Sequence, residues 1–259
     1  MITVLSPAKK LSKENCAHTG TFTQPEFLRE SETLVQGLRE LDPLSLQSLM
    51  GISDNLSFMN WERYQAWTLP FEPGSARQAF YTFTGDTYAG LDANTLSDDE
   101  VLFAQDNTRI LSGLYGVLKP LDLMMPYRLE MSTKLENKIG KNLYDYWSTK
   151  LSEFISKELE NHEDNIVINC ASVEYFKSLD NSELKAKVIT PLFKEIRDGE
   201  PKMISFFAKK ARGMMARFII QNRIQSVKNI LAFDLDGYKY DHALSSPFKP
   251  VFTLSLIHI

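Results

Sequence analysis

The chain has 259 residues, of which 43% are hydrophobic and 24% are charged. These proportions are typical of a globular protein and exclude intrinsic disorder and collagen-like structure. The formal net charge of −4 by itself argues against nucleic-acid binding. Apolar runs of about four residues predict no membrane-spanning helix. The isolated cysteines Cys16 and Cys170 form no Cys-x-x-Cys pair, which predicts a reduced, cytoplasmic protein.

Helices and strands alternate along the predicted chain. A strand is predicted at residues 2–5. Helices are predicted over residues 25–50, with a second helix beginning at Asp42, and over residues 53–67, 98–111, 144–160 and 209–224. Further strands are predicted over residues 165–170, 188–196, 202–207, 230–235 and 238–240. Asp198-Gly199 and Asp236-Gly237 predict two hairpin turns. The pattern favours an α/β or α+β fold, a single domain with a mixed β-sheet over residues 1–253.

The last six residues, Leu254-Ser-Leu-Ile-His-Ile259, form a separate case. They can be back-translated as CTG TCT CTT ATA CAC ATC, the mosaic end used in transposase-based sequencing libraries. Our hypothesis is that residues 254–259 are a non-native, adapter-derived tail and that the natural protein departs from this sequence after Thr253. The alternative is an ordinary apolar tail. We therefore draw no functional conclusion from His258.

Residues 201–229 contain seven basic side chains and no acidic one. At 100° per residue, the predicted helix over residues 209–224 places its apolar side chains on one side and cations on the other. The ordinary interpretation is a solvated face whose charges pair with acids elsewhere, at ~0–1 kcal/mol per pair. No acid lies three or four residues away, however, and this favours an anion such as a phosphate backbone. The candidate residues are Lys209, Lys210, Arg212 and Arg217.

Residues 111–122 contain Gly113 and Gly116 after a predicted helix. A glycine turn between helices can direct backbone N–H groups at a phosphate, as a helix-hairpin-helix does. The spacing is Gly-x-x-Gly, and Pro120 would disturb a second helix. The alternative is a helix C-cap at Gly113 and a packing contact at Gly116. Lys119 and Arg128 flank the segment and would favour an anion.

Polar side chains follow several predicted strands: Ser6, Lys9, Thr84, Asp86, Asn169, Ser172, Glu174 and Lys177. Ligands of α/β folds bind at the C-terminal ends of strands, so these side chains could line one cleft in which Lys9 or Asp86 acts as an acid or base. Helix capping by Ser172 and Glu174 is the alternative. The four histidines, His18, His162, His242 and His258, form no ligand motif, and neither a metal nor another cofactor is predicted. Cys170 ends an apolar strand and is predicted to be an inert, buried thiol.

Several short blocks occur together along the chain: Leu5-Ser-Pro-Ala-Lys9, Ile52-Ser-Asp54, Phe83-Thr-Gly-Asp86, Leu111-Ser-Gly-Leu-Tyr-Gly-Val-Leu-Lys-Pro-Leu-Asp-Leu123, Pro126-Tyr-Arg-Leu-Glu-Met131, Asn169-x-Ala-Ser172, Glu174-Tyr-Phe-Lys177, Phe207-Ala-Lys-Lys-Ala-Arg-Gly213 and Asp236-Gly-Tyr238. In this order they resemble the bacterial YaaA family of peroxide stress resistance proteins. The resemblance extends over residues 1–253, nearly the whole chain.

The resemblance implies a single α/β domain in a cytosolic protein. It implies non-specific binding of double-stranded DNA through a positively charged cleft with a helix-hairpin-helix-like element. It also implies a role in limiting free intracellular iron, and hence oxidative DNA damage, under hydrogen peroxide. It supplies no catalytic residues and no oligomeric state. The basic residues in matching blocks are Lys9, Lys119, Arg128, Lys209, Lys210, Arg212 and Arg217.

Three functions follow from these observations. The first is a stress protein that binds DNA through backbone contacts. The alternative is an enzyme that acts on a small anionic or nucleobase-like ligand in the same cleft. Direct iron binding is disfavoured by the lack of histidine and cysteine clusters.

Overall fold

The computed structural model describes residues 1–12 and 20–255. These residues form a mixed α/β fold with parallel and antiparallel sheets, which confirms the predicted fold class. Buried apolar side chains from both halves of the chain form one hydrophobic cluster. Cys16, His18 and His258 lie outside the described residues. No helix within those residues has the length and apolar content that crossing a lipid bilayer would require.

The first sheet has five strands in the order β6-β5-β1-β8-β9. Their bounds are Ile2–Leu5 (β1), Thr108–Ser112 (β5), Gly116–Leu118 (β6), Ile166–Cys170 (β8) and Lys187–Ile189 (β9). β1 lies between β5 and β8 and is parallel to both. All four residues of β1 are buried, as expected for a central parallel strand, and the strands predicted at residues 2–5 and 165–170 are confirmed.

The second sheet has four strands in the order β11-β10-β13-β12. Their bounds are Leu192–Arg197 (β10), Glu200–Lys202 (β11), Lys239–Ser246 (β12) and Lys249–Ser255 (β13). The hairpin predicted at Asp198-Gly199 is confirmed, because both residues have positive φ and join antiparallel β10 and β11. Leu254 and Ser255 continue β13, whereas residues 256–259 lie outside the described chain. The hypothesis of a non-native tail stays a prediction.

Four short strands form two further pairs. Lys10–Leu11 (β2) is antiparallel to Phe83–Thr84 (β4), and Arg77–Gln78 (β3) is antiparallel to Leu123–Met124 (β7). The first pair places Lys10 opposite Thr84. It therefore brings the chain that follows β1 next to the chain that follows β4.

The described residues contain eleven α-helices. Their bounds are Leu28–Arg39 (α1), Pro43–Met50 (α2), Asp54–Ala66 (α3), Ala79–Thr82 (α4), Asp86–Leu91 (α5), Asp98–Asn107 (α6), Leu143–Trp147 (α7), Lys150–Leu159 (α8), Val173–Phe176 (α9), Ser205–Gln221 (α10) and Val227–Ile230 (α11). Asp42 caps α2 by accepting a hydrogen bond from the Ser45 backbone N–H at 2.7 Å, as predicted.

Several predicted elements are wrong. The strand predicted over residues 202–207 ends at Lys202, because residues 205–207 already belong to α10. The predicted hairpin turn at Asp236-Gly237 is instead a short 3₁₀ helix. The helix predicted over residues 98–111 ends at Asn107, and the residues after it form β5. The strand predicted over residues 188–196 is two strands, β9 and β10, in different sheets.

Two further predictions fail at a break or a turn. The single helix predicted over residues 144–160 is interrupted at Ser148, whose φ of 46° lies outside the helical region, and α7 and α8 are separate helices. The strand predicted over residues 230–235 is instead the end of α11 followed by a turn. Ile230 and Phe233, three residues apart, are both buried there. Phe233 packs edge-to-face against Phe193 of β10 and Phe252 of β13, so one side of a helical turn meets the second sheet.

Helix α10 connects the two sheets. It contacts β1 and β8 of the first sheet and β10 of the second, and it packs closely on α5. The α5–α10 contact depends on two glycines, because a side-chain carbon on Gly90 or Gly213 would collide with the backbone of the other helix. The basic helix predicted over residues 209–224 is thus a central element, buried on most of its surface.

Candidate functional site

A cavity of about 510 Å³ opens at the carboxyl ends of β1 and β8. The last residues of the two strands, Leu5 and Cys170, are paired in register. The chain that follows each strand therefore begins at the same edge of the sheet, where ligands of parallel sheets usually bind. The cavity is completed by the turn into α5, the segment 127–130 and one side of α10.

Six of the eight polar side chains that follow predicted strands line this cavity: Ser6, Lys9, Thr84, Asp86, Ser172 and Glu174. Asn169 instead accepts a hydrogen bond from the Ala171 N–H at 3.0 Å. Lys177 lies over the ring of Tyr144, with its Nζ 4.6 Å from the ring centroid. The structure thus brings most of the predicted polar groups into one cleft.

Two serines hold the strand ends together. The Ser172 backbone N–H donates to Ser6 Oγ at 2.8 Å, and Ser6 Oγ lies 3.3 Å from Ser172 Oγ. Tyr88 of α5 donates its hydroxyl to the Ser6 carbonyl at 3.0 Å. Ser172 also caps α9 by accepting from the Tyr175 N–H, so the predicted capping role is confirmed. These contacts fix the floor of the cavity.

One wall of the cavity carries a shared carboxylate. Glu130 contacts Lys9 Nζ at 3.1 Å through one oxygen and Arg128 Nη2 at 3.0 Å through the other. The Arg128 backbone carbonyl accepts from the buried Tyr64 hydroxyl, which anchors the wall to α3. Arg128 Nε is buried and has no hydrogen-bond partner in the described chain.

Helix α10 contributes Lys209 and Arg212, one turn apart, to the cavity lining. Within residues 1–12 and 20–255, neither side chain makes an ion pair or a side-chain hydrogen bond. Burial lowers the pKa of the Arg212 guanidinium, and no carboxylate offsets that effect. Lys10 and Asp86 in the lining likewise have no side-chain partner in that part of the chain, so Lys209 and Arg212 are two of three unpaired cations at the site.

Cations exceed carboxylates in the cavity lining. The basic side chains are Lys9, Lys10, Arg128, Lys209 and Arg212, and the acidic ones are Asp86, Glu130 and Glu174. Glu130 is shared between two cations, and Glu174 accepts a hydrogen bond from the Ser132 N–H at 3.0 Å. A concave surface with excess positive charge concentrates anions. The site is therefore suited to an anionic ligand.

Comparison with known proteins gives the family. Residues 1–244 match the family model described as peroxide stress protein YaaA. The chain belongs to the YaaA family. It is 49% identical over 252 residues to a UPF0246 protein of Aliivibrio fischeri strain MJ11, covering 97% of each chain. It is 50% identical over 253 residues to a UPF0246 protein of Colwellia psychrerythraea strain 34H, covering 98% of each. The resemblance inferred from the sequence blocks is confirmed, and the role of this YaaA-family protein lies in peroxide stress.

In this YaaA-family chain, the basic side chains predicted to share one side of the helix over residues 209–224 have different environments. Lys210 pairs with Asp236 at 2.6 Å. Arg217 Nη1 donates to the carbonyls of Leu91 and Asp92 at 3.0 and 2.9 Å, at the C-terminus of α5. Lys210 therefore fits the ordinary interpretation, in which the charge pairs with an acid elsewhere in the chain, and Arg217 is held by backbone carbonyls of another helix.

In the YaaA-family chain, Lys119 lies outside the cavity. Its Nζ pairs with Glu158 at 2.6 Å, and Glu158 also binds the buried Arg109. Lys9 is in the cavity but is paired with Glu130. Of the nine residues predicted to contact DNA, the structure brings four together in the cavity: Lys9, Arg128, Lys209 and Arg212. Their contact with DNA stays a prediction.

The helix-hairpin-helix expected in the YaaA-family chain is not confirmed. Gly113 lies in the turn between antiparallel β5 and β6, and Gly116 begins β6. Both glycines are buried. The Gly113 carbonyl accepts from Trp147 Nε1 at 3.0 Å, and a side-chain carbon at Gly113 would collide with the Leu129 carbonyl. Gly116 therefore has the packing contact of the alternative interpretation, and Gly113 is also in a packing contact. The predicted helix C-cap at Gly113 is absent, because α6 ends at Asn107.

Several cavity residues were missed from the sequence, among them Lys10, Tyr127 and Tyr175. Tyr175 follows Ser172 on the short α9, and Tyr127 immediately precedes Arg128, but neither has a distinctive spacing. Cys170 borders the cavity with 1% of its surface exposed, and burial raises the pKa of its thiol to about 12. The burial predicted for the Cys170 thiol is thus confirmed. In the described part of the chain, no three His, Cys, Asp or Glu side chains are placed to hold a metal ion.

Proposed function

We propose that this protein acts in the cytoplasm during peroxide stress by binding the phosphate backbone of DNA, and that it thereby limits iron-driven oxidative DNA damage. The proposal rests on one observation, the unpaired cations Lys209 and Arg212 facing a cavity in which positive charge is in excess. Phosphate contacts carry no sequence information, so binding is non-specific. Family membership supports the peroxide setting.

The binding step is tested by a salt series on purified protein. Fluorescence anisotropy with a labelled duplex gives the slope of log affinity against log salt, whose magnitude is about 0.9 for each phosphate that the protein neutralises. We expect Lys209→Gln with Arg212→Gln to reduce the slope by about 2. The control, Lys157→Gln with Lys228→Gln, removes the same charge from exposed positions outside the cavity. Equal slopes in the two double variants would refute the site.

The protective step requires a separate experiment in cells. A strain that lacks the gene is complemented with the wild-type protein or with the cavity double variant and exposed to hydrogen peroxide. We expect the variant to leave free iron, measured by electron paramagnetic resonance, and DNA strand breaks as high as in the deletion strain. Full protection by a variant that no longer binds DNA in vitro would separate the stress role from DNA binding.

An enzyme acting on a small anionic ligand is the second candidate function. The observation that favours it is the cavity volume of about 510 Å³, which lies within the range of small-molecule sites. Asp86 and Glu174 line the same space as Lys209 and could exchange protons with a ligand. Thermal stabilisation by a nucleotide or by inorganic phosphate, with none by DNA, would favour this function over the first.

A further inference from the structure

The size of the cavity restricts which part of a nucleic acid can enter it. A volume of about 510 Å³ corresponds to a sphere about 10 Å across. The major groove of B-DNA alone is about 12 Å wide, so an intact duplex cannot enter. A duplex bound through Lys209 and Arg212 would therefore lie across the cavity opening and leave the interior empty. One nucleotide, by contrast, has the dimensions of a small-molecule ligand.

We propose that the cavity receives a single unpaired nucleotide of a DNA strand, turned out of the helix, with its phosphate on α10 and its base between the inner walls. This inference rests on the proposed DNA-binding function and specifies its ligand. The cations needed for the phosphate, two partly accessible tyrosine rings that can contact the base and the polar groups needed for the base edge all line the same space. Proteins that act on extruded bases use this combination.

The phosphate end of the site is formed by α10. Lys209 and Arg212 are spaced by three residues, so their side chains are neighbours on the helix surface. Both lack partners in the described chain, and Arg212 is partly buried, which strengthens its attraction for an anion relative to a fully solvated cation.

The base end of the site is formed by ring and carboxylate groups. Tyr127 and Tyr175 border the cavity with 5% and 8% of their surfaces exposed, so each presents only a small part of its ring to a ligand. Asp86 and Glu174 supply acceptors for an exocyclic amino group of a base. The hydroxyl of Thr84 can donate or accept. Aromatic contacts combined with a few polar groups are the means by which an extruded base is recognised.

An exposed aromatic residue stands next to the phosphate end. Phe206 is 55% exposed and lies one turn before Lys209 on α10, and its ring is held edge-to-face by Phe207 with centroids 5.5 Å apart. An aromatic side chain beside a cation is the usual stacking platform for an unpaired strand. Phe206 is thus placed to stack on the base adjacent to the nucleotide in the cavity.

The inference is tested with three duplexes of one sequence: fully matched, carrying a one-nucleotide bulge, and carrying the same bulge with the base removed. The third duplex has the flexible backbone of the bulge without its base. We expect the base-containing bulge to bind about tenfold more tightly than either of the others at the same salt. Free deoxynucleoside monophosphate should compete for the bulged duplex more effectively than for the matched one.

Two variants test which side chains contact the bulged strand. Phe206→Ala should reduce the preference for the bulge several-fold, whereas the control Phe248→Ala, at a position 56% exposed between β12 and β13, should leave it unchanged. Arg212→Gln should weaken binding of all three duplexes. Circular dichroism confirms that each variant is folded.

The outcomes separate the two proposals. Equal binding of the three duplexes, or equal binding of the two bulges, would overturn the inference and leave DNA binding intact. Absence of salt-dependent binding to any duplex would overturn both. Stabilisation by the free nucleotide alone, without DNA binding, would also overturn both and would support the small-ligand enzyme.

Discussion

Gly213 of α10 lies directly against the backbone carbonyl of Thr87 in α5, and a side-chain carbon at position 213 would overlap that oxygen. Gly90 of α5 makes the reciprocal contact with the carbonyl of Lys210. The two helices therefore touch backbone to backbone. This contact brings Lys209 and Arg212 of α10 into the same cavity lining as Asp86, at the start of α5.

The first prediction concerns this contact. Gly213→Ala should lower the free energy of unfolding by about 1–3 kcal/mol, because an added methyl group forces α10 away from α5. Urea denaturation measures the change. The matched control is Gly37→Ala in α1, where nothing lies within 4 Å of the added carbon and alanine should stabilise the helix by up to about 1 kcal/mol. Equal stability of the two variants would contradict the close contact.

A second prediction follows from the Arg109–Glu158 pair. Arg109 is 2% exposed, and Glu158 is its carboxylate partner. Glu158→Gln should cost about 3–5 kcal/mol of unfolding free energy, since it leaves a buried guanidinium without a counter-charge. Glu153→Gln, at an exposed position on the same helix, should change stability by less than about 0.5 kcal/mol. Urea denaturation of both variants at neutral pH gives the comparison.

The same pair has a pH dependence. Burial raises the pKa of Glu158, but hydrogen bonds and charge from Arg109 and Lys119 outweigh burial and leave the pKa below its ordinary value. A carboxyl group with a lowered folded-state pKa stabilises the protein above its unfolded pKa, and the stabilisation is lost as pH falls through the folded value. We expect wild-type stability to fall below about pH 4.3, and the fall to be smaller in Glu158→Gln.

A third prediction concerns Cys170. Its thiol pKa of about 12 means that on the order of one molecule in ten thousand is a thiolate at pH 8. Cys170 in the folded protein should therefore resist iodoacetamide and hydrogen peroxide, and mass spectrometry of the Cys170 peptide measures the modification. The same peptide should react readily when the protein is unfolded in urea. Rapid labelling of the folded protein would show that the thiol is accessible and ionised.

The parallel strands β1 and β8 and the cleft at their ends could be predicted because each depends on local sequence, whereas the sequence predicts residues 108–111 of β5 as the end of a helix. The buried run 166–170 and the polar groups after it identify a strand end, and parallel strands bring such ends together. The break at Ser148 could not be predicted, since neither glycine nor proline marks it. The apolar run 230–235 is too short to distinguish a strand from a helical turn, and only contact with Phe193 and Phe252 decides it.

The pairing of the basic side chains could not be predicted because their partners are distant in sequence. A search for acidic residues three and four positions from a basic residue can find partners only on the same helix. Asp236 reaches Lys210 from 26 positions further along the chain, and the carbonyls of Leu91 and Asp92 reach Arg217 from α5. Composition indicates the excess of cations in residues 201–229. Only the tertiary structure shows that Lys209 and Arg212 of the cavity are unpaired among the described residues, whereas Lys210 and Arg217 are bonded to other segments.

The last prediction uses that difference. Lys209→Gln should reduce the salt slope of DNA binding by about 0.9, since Lys209 is unpaired in the cavity. Arg217→Gln should instead lower the free energy of unfolding by about 1.5–3 kcal/mol, because it removes charged hydrogen bonds to two carbonyls at the end of α5. Anisotropy titrations and urea denaturation on both variants give the four values. If Arg217→Gln reduced the salt slope as much as Lys209→Gln while stability stayed unchanged, DNA would bind along the whole basic helix rather than at the cavity.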